Sequence, residues 1–379
     1  MKIAIISTVT QGWGGSEELW SQFALFCRKR GVYIKVFTFL KSFNSSIWNE
    51  IINAGIDIKN IPLHQLPGNS LFEKIISKLR RQQLTVKYKN RFLELSTSDW
   101  DHVIISQGGT NDIIYYNDLY EVINGLNKPF TVINQGQKET QQLNDEQRTM
   151  LKNIFLKTSS LLFVSGRSLR STERFLARSL THAGVIKNPV NINNTQLVEW
   201  PEGDKLKMAI VSRLDIAKGH DILLASLAKE EWNTRNFELN IFGEGPDDMF
   251  IRELINFYKL NDKVVMKGFC SDVKSIWAAN HILVLPSLGE GMPLVLIESA
   301  LCGRPALCTD VGGCSEFIRN HESGFIAPYG SVNGLNIALN EVWVNKNKLK
   351  EMGMKAKSNA DEFLPGNAAK DLFEKIFNE

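Results

Sequence analysis

Two carboxylates eight residues apart, Glu290 and Glu298, stand in the run Gly289-Glu290-Gly291-Met292-Pro293-Leu294-Val295-Leu296-Ile297-Glu298. The apolar stretch 281–286 before them is short enough for a buried strand. Pro293 is pre-set for the first turn of a helix, and Gly303 suits its stop. Glu290 is therefore expected in a turn at the carboxyl end of a strand, with Glu298 inside the helix that follows. Ligands collect at that end of an open parallel sheet, and a helix start offers unpaired backbone N–H groups to an anion, so a sugar phosphate would fit there. The N–H groups of Gly291, Met292 and Leu294 are available for it; Pro293 has none. Taken alone, a loop Glu before an apolar helix also reads as a helix cap.

Two cations join this constellation. Arg213 and Lys218 lie at a strand end and in the loop after it, in Val211-Ser212-Arg213-Leu214-Asp215-Ile216-Ala217-Lys218-Gly219. Fixed cations can stabilise negative charge that grows on a departing group. The other reading of Arg213 is a surface ion pair with Asp215. Near the amino terminus, Gly12-Trp13-Gly14-Gly15-Ser16-Glu17 follows an apolar strand and opens a helix. Gly14 and Gly15 carry no side chain, so phosphate or acceptor could approach the backbone. A dinucleotide-binding loop would need a third glycine where Glu17 stands and an acid after the second strand, where Leu40-Lys41 is found; a dehydrogenase is disfavoured.

Strands and helices must alternate to position these groups, and they do. Runs 2–7, 32–40, 102–106, 130–134 and 161–165 read as strands in the first half, and 206–212, 237–242, 264–268, 281–285 and 306–308 in the second. The first helix is expected to take Ser16 as N-cap, Glu17 and Glu18 in its first turn, Arg28, Lys29 and Arg30 in its last, and Gly31 as its stop. The polar, turn-rich stretch 188–203 is the natural linker and hinge. Residues 1–190 and 191–359 are thus expected as two doubly wound domains. The helical tail 360–379, interrupted at Pro365-Gly366, could cross back to the first of them.

A chain of 379 residues exceeds the size at which one core keeps growing. No apolar run approaches the length of a membrane span, and residues 1–9 are too short and strand-like for a secretory signal, so a cytoplasmic protein is expected. Five cysteines, odd in number and without CxxC spacing, and six scattered histidines imply neither a disulfide framework nor a metal site. The formal charge of +3 is uneven: residues 1–190 hold 24 Lys and Arg against 15 Asp and Glu, the remainder 20 against 26. The densest basic segment, 72–92, has helical amphipathic spacing. It reads as a solvated helix face, or as a surface for anionic lipid or a phosphorylated acceptor at the inner face of the membrane. Nothing in the pattern demands nucleic acid.

The Arg213 to Lys218 segment, then Phe242-Gly243-Glu244-Gly245-Pro246, then the Glu290 to Glu298 block with Gly312-Gly313 beyond it, follow one another as in the family 4 glycosyltransferases, which the chain resembles. The resemblance covers essentially the whole chain and is strongest over 208–326. It implies an α/β protein of GT-B fold, two Rossmann-like domains facing across a cleft, with retention of anomeric configuration. It gives Arg213 and Lys218 to the pyrophosphate of a nucleotide-sugar donor and makes a divalent metal or other cofactor unnecessary. Glu298 would accept hydrogen bonds from the ribose hydroxyls, a diol suiting a carboxylate's two oxygens. Glu290 would face the donor sugar. Gly243 and Gly268 are carried over to the donor site with Gly14, Gly15, Gly291, Met292 and Leu294. Many members carry a His after the strand that here reads Phe130-Thr131-Val132-Ile133-Asn134-Gln135-Gly136, and Gln135 is the best match. A glutamine cannot take up a proton at neutral pH, which puts a base at this position in doubt. The other reading of Gln135 beside Gly136 is an ordinary turn.

The expected activity is sugar transfer from a nucleotide-sugar donor, a UDP-sugar ahead of a GDP-sugar, to a hydroxyl acceptor that is a sugar, a lipid-linked sugar or a glycolipid. Cell-surface polysaccharide or glycolipid assembly is the expected setting. An epimerase or hydrolase of nucleotide sugars on the same fold, and a catalytically silent binding partner, are the rival classes.

Overall fold

A computed structural model describes residues 1–10, 12–40, 46–62, 91–136, 143–190 and 197–377. The basic segment 72–92 lies outside these residues except for Arg91 and Phe92, and so do residues 191–196 of the linker.

Seven parallel strands form the first sheet: β1 (Lys2–Ser7), β2 (Tyr33–Thr38), β3 (Asp57–Asn60), β4 (His102–Gln107), β5 (Phe130–Asn134), β6 (Ser160–Phe163) and β7 (Ala183–Val185). Their order is β3-β2-β1-β4-β5-β6-β7. Six more form the second: β8 (Leu206–Val211), β9 (Phe237–Phe242), β10 (Val264–Gly268), β11 (Ile282–Leu285), β12 (Ala306–Thr309) and β13 (Gly324–Ala327), in the order β10-β9-β8-β11-β12-β13. Each order reverses direction once, between β1 and β4 and between β8 and β11, which is where a doubly wound sheet opens a crevice. The ten expected strands are all present. The three additional ones, β3, β7 and β13, are all outermost in their sheets and only three or four residues long; Asp57–Asn60 and Ala183–Val185 have no fully buried residue, whereas Gly324–Ala327 is mostly buried.

Helices cover both faces of each sheet, so alternate strand residues enter different cores. Ile3 and Ile5 pack with Ile34 and Val36 on one side of the first sheet, Ala4 and Ile6 with Phe37 and Val103 on the other. Met208 and Ile210 face one side of the second sheet, Ala209 and Leu283 the other. Burial on both faces explains why these strands read as continuous apolar runs rather than alternating ones.

Helix Gly15–Arg28 corrects one expectation. Its N-cap is Gly14, in extended conformation, whose carbonyl accepts the N–H groups of Glu17 and Glu18 at 3.0 and 3.1 Å. Ser16 lies within the first turn, and its hydroxyl donates to the Glu17 carboxyl instead of capping. At the other end of the chain, helix Leu349–Phe363 packs under the second sheet. Helix Ala368–Phe377 then places Ala368, Leu372 and Ile376 against Trp20 and Phe23 of the first domain. Phe373 adds ring contacts with Phe23 and Phe26 at centroid separations of 6.4 and 5.8 Å. Among the described residues, no helix is long and apolar enough to cross a membrane.

Candidate active site

The carboxyl ends of β1, β4 and β5 face those of β8 and β11 across a cavity of about 650 Å³. Every loop that leaves a switch point contributes to its wall: Thr8, Thr10 and Ser16 after β1, Gly108 and Asp112 after β4, Arg213 and Lys218 after β8, Glu290 and Leu294 after β11. Gln135 enters from the loop after β5 and Asn188 from the segment that leaves the first domain.

The central feature is an ion pair between residues 72 positions apart. Lys218 Nζ donates to Glu290 Oε1 at 2.6 Å. Ser287 Oγ donates to the same oxygen at 2.7 Å. Glu290 has only 11% of its side chain exposed, so the pair is shielded from bulk water and its geometry is fixed before a ligand arrives. Arg213 is engaged as the sequence allowed, donating from Nη2 to Asp215 Oδ2 at 2.6 Å. That pair sits in the cavity wall, because Asp215 also caps the turn Ile216–Lys218 by accepting the Ala217 N–H at 3.0 Å. The loop therefore presents Arg213 and Lys218 together, each held by an acid.

Two glycines allow this assembly. Gly243 has φ of +135°, and a Cβ there would collide with the Ser212 carbonyl, so the loop carrying Arg213 can rest directly on it. Gly291 touches the first domain: a Cβ on it would lie 2.6 Å from Val164 Cγ2 and closer still to the Gln135 carbonyl oxygen. Glu290 is thereby brought beside Gln135 although they belong to different sheets. Gly313 N–H donates to the Gly291 carbonyl at 2.6 Å and fixes the turn from behind.

Of the residues singled out in the sequence, Gly15, Gln135, Arg213, Lys218, Glu290, Gly291, Met292 and Leu294 line the cavity. Gly14, Gly243, Gly268 and Glu298 do not. Gly243 and Gly268 stand behind the Arg213 loop, joined by the Gly243 N–H to Gly268 carbonyl bond at 2.8 Å. Pro293 is the N-cap, and Glu298 lies in the helix Leu294–Leu301 that follows. Burial pushes the Glu298 carboxyl up to about 7. Among the described residues, no group of three or more His, Cys, Asp or Glu is placed to hold a metal ion.

Sequence reasoning overlooked several groups in the wall and around it. Thr8 Oγ1 donates to Asp112 Oδ2 at 2.7 Å and accepts the Gly108 N–H at 3.1 Å, tying the loop after β1 to the loop after β4. Glu17, 1% exposed, accepts from Ser7 Oγ at 3.0 Å and from Ser16, and burial pushes its carboxyl up to about 7. Asn188 was read only as linker. Across the domain boundary, Glu316 accepts the Gly166 and Arg167 N–H groups at 3.0 and 2.6 Å, where helix Gly166–Leu176 begins, and pairs with Arg170 at 2.9 Å. Acidic caps at a helix start are favourable.

A family model described as glycosyl transferases group 1 matches residues 194–359. An exopolysaccharide phosphotransferase of Streptomyces coelicolor is 28% identical over 229 residues, which are 58% of this chain and 23% of that protein. The gpi3 subunit of the Schizosaccharomyces pombe phosphatidylinositol N-acetylglucosaminyltransferase is 32% identical over 127 residues, 33% of this chain and 28% of that one. The chain thus spans less than a third of the length of these two relatives. The crystal structure of Anabaena HepE in complex with UDP-glucose matches over 100% of both chains with a TM-score of 0.74 and 17% identity, a likeness of fold. Residues 194–359, which hold the second sheet, match the glycosyl transferases of group 1, and the whole chain has the two-domain GT-B architecture.

Proposed function

We propose that the chain is a retaining, metal-independent glycosyltransferase that moves a sugar from a nucleotide-sugar donor, a UDP-sugar ahead of a GDP-sugar, to a hydroxyl acceptor in cell-surface polysaccharide or glycolipid assembly in the cytoplasm. The observation that carries this reading is the Lys218–Glu290 pair at the meeting of the two switch points, with Arg213 on the same wall. A departing nucleoside diphosphate leaves charge on its pyrophosphate. Lys218 and Arg213 meet that charge, while Glu290 lies beside the anomeric carbon, which becomes electron-poor as the bond breaks. The C1–O bond to the β-phosphate breaks and a C1–O bond to the acceptor forms on the same face. The acceptor's proton passes to the leaving phosphate, so the neutral amide of Gln135 is no obstacle. Glu298 takes the ribose hydroxyls, and the N–H groups of 291, 292 and 294 take donor oxygens. The likeness to a UDP-glucose-bound structure and relatives named for glycolipid and exopolysaccharide chemistry support the donor and the setting.

Calorimetric titration of UDP-, GDP- and ADP-sugars in EDTA tests this with wild type, Arg213→Ala and Glu298→Ala. Metal-free binding of one nucleotide class, lost in both variants, is expected. Binding that requires divalent metal, or that survives both substitutions, overturns the assignment; release of free or epimerised sugar without acceptor would favour the rival enzyme class.

A further inference from the structure

At the end of the second sheet away from the active site lies another cavity, of about 290 Å³. Lys205 and Leu206 line it where β8 begins, and His281 where β11 is about to begin, whereas Arg213 and Glu290 follow the far ends of the same strands. The 6 residues of β8, at about 3.3 Å each, put on the order of 20 Å between the two sites. One wall is aromatic and firmly held. Trp200 has the Arg304 guanidinium over its ring at 4.8 Å and the His281 ring at 5.3 Å. Arg304 is 2% exposed and donates to the carbonyls of Trp277 and Asn280, both at 2.8 Å. His281 accepts the Lys207 N–H on Nδ1 at 3.0 Å, so its ring is neutral.

Three lysines, Lys205, Lys346 and Lys350, line the same cavity, and Asp204 is the one carboxylate among its described lining residues. Lys205 reaches Glu238 at 3.4 Å and Lys346 stands over the Trp343 ring at 4.3 Å; among the described residues, no carboxylate pairs with Lys346 or Lys350. Their placement works against local stability. Lys346 and Lys348 bound the short turn before helix Leu349–Phe363, and Lys350 is in its first turn, at the positive end of the helix dipole, where cations are disfavoured. The acid of that turn, Glu351, pairs with Lys355 at 2.8 Å instead. The half of the chain around them is acidic, residues 191–379 holding 20 Lys and Arg against 26 Asp and Glu. Cations gathered in a cavity against both the helix dipole and the surrounding charge point to an anionic ligand.

Three ammonium groups against one carboxylate leave two positive charges at the cavity. An ammonium is a compact point donor, so three of them suit an anion with three terminal oxygens. A phosphate monoester has three and carries about −1.5 to −2 charges at neutral pH; a carboxylate has two oxygens and a single charge. The volume falls at the lower limit of small-molecule sites, about 300 Å³, so the ligand is compact. We propose that Lys205, Lys346 and Lys350 form a second ligand site, separate from the active site, which binds the phosphate of a compact phosphate monoester and sets its organic part against Trp200. The monoester is a soluble sugar phosphate or the headgroup of a lipid, and the site stands whether or not the transferase reading does.

The test is calorimetric titration of inorganic phosphate and glucose 6-phosphate, with glucose as the uncharged control, beside flotation with phosphatidylcholine vesicles with and without phosphatidic acid. Wild type is compared with Lys346→Gln, Lys350→Gln, Arg213→Ala and Lys370→Gln. Glutamine keeps most of the aliphatic stem, and Lys370, paired with Glu374 at 3.3 Å on the last helix, is the remote control. Glucose 6-phosphate should bind wild type and weaken by about 10- to 100-fold in Lys346→Gln and in Lys350→Gln, the scale of one charged hydrogen bond, while Arg213→Ala and Lys370→Gln stay within about twofold. Vesicle recruitment that needs phosphatidic acid and is lost in the same two variants, with no binding of the soluble phosphates, would support the site and name a lipid as its source. Binding lost in Arg213→Ala but kept in Lys346→Gln and Lys350→Gln would put the phosphate in the active site and overturn the proposal. Equal weakening in Lys370→Gln would mark diffuse surface charge and overturn it too, as would a wild type that binds neither soluble phosphate nor the phosphatidic acid vesicles.

Discussion

Substituting Gly291 with alanine isolates the contact that joins the two halves of the site. A methyl group there would stand 2.6 Å from Val164 Cγ2 and nearer to the Gln135 carbonyl. Nonbonded carbons rest at about 3.5–4.0 Å, so the wall must retreat by about 1 Å. Val164 is 1% exposed and packed with Met292, so the retreat cannot be absorbed by one side chain turning into solvent; the Glu290 turn and the first domain must separate. Overpacking of this kind costs about 1–3 kcal/mol of stability. A misplacement of about 1 Å between reacting groups costs on the order of 100-fold in rate. Gly291→Ala should therefore lose roughly 100-fold in kcat. Its affinity for the free nucleoside diphosphate should change little, because Arg213, Lys218 and Glu298 all belong to the second domain. Initial rates with the donor identified by calorimetry, beside diphosphate titration and near-UV circular dichroism, separate these effects. Gly366→Ala is the control, since a Cβ there meets nothing within 4 Å. A folded Gly291→Ala protein with wild-type kcat would refute the geometric argument.

Other perturbations address single groups. Lys218→Ala and Glu290→Gln should each depress turnover by about 1000-fold with the fold intact, the scale of losing a group aimed at transition-state charge; wild-type rates in either folded variant would remove both from the site. Glu298 is pushed up to about 7 by burial, and ribose hydroxyls would donate to its charged form, so nucleotide binding should release a proton and weaken as pH falls below 7. Titrations in buffers of different ionisation enthalpy should detect that proton in wild type and not in Glu298→Gln. Glu17 has a carboxyl raised from 4.5 to about 7 by burial, so the fold favours its protonated form. Its stabilising contribution is full below about pH 4.5 and is lost as pH rises to and through 7, about 3 kcal/mol in all, of which about 1.3 kcal/mol falls between about pH 6 and pH 8. Glu17→Gln should flatten the fall in urea resistance between pH 6 and 8; an equal fall in both proteins would exclude Glu17 as its source.

Nine of the ten strands named from the sequence lie inside their sheets, where covered faces impose apolar character; the tenth, β10, is outermost and only partly buried. β3 and β7 are outermost, are held by one neighbour and need little apolar signal, so that Asp57-Ile58-Lys59-Asn60 reads as loop; β13, Gly324-Phe325-Ile326-Ala327, is apolar but only four residues long. The start of the first helix was misplaced by two residues, since Ser16 has the right chemistry for a cap but its hydroxyl found the buried Glu17 carboxyl, which left the Gly14 carbonyl to begin the helix.

The sequence determined which residue types were on hand and on which loops. The turn at Glu290, the cations after β8, the glycines beside them and the alternation that brings each to a strand's carboxyl end were all legible, because they depend on local spacing. Tertiary structure decided which groups meet. Lys218 reaches Glu290 across 72 residues because β8 and β11 are neighbours at the switch point. Gln135 meets Asn188 and Gly291 only because two sheets face one another. Asn188 carried the composition of a linker; its burial, and hence its chemistry, exists only where the domains close on it.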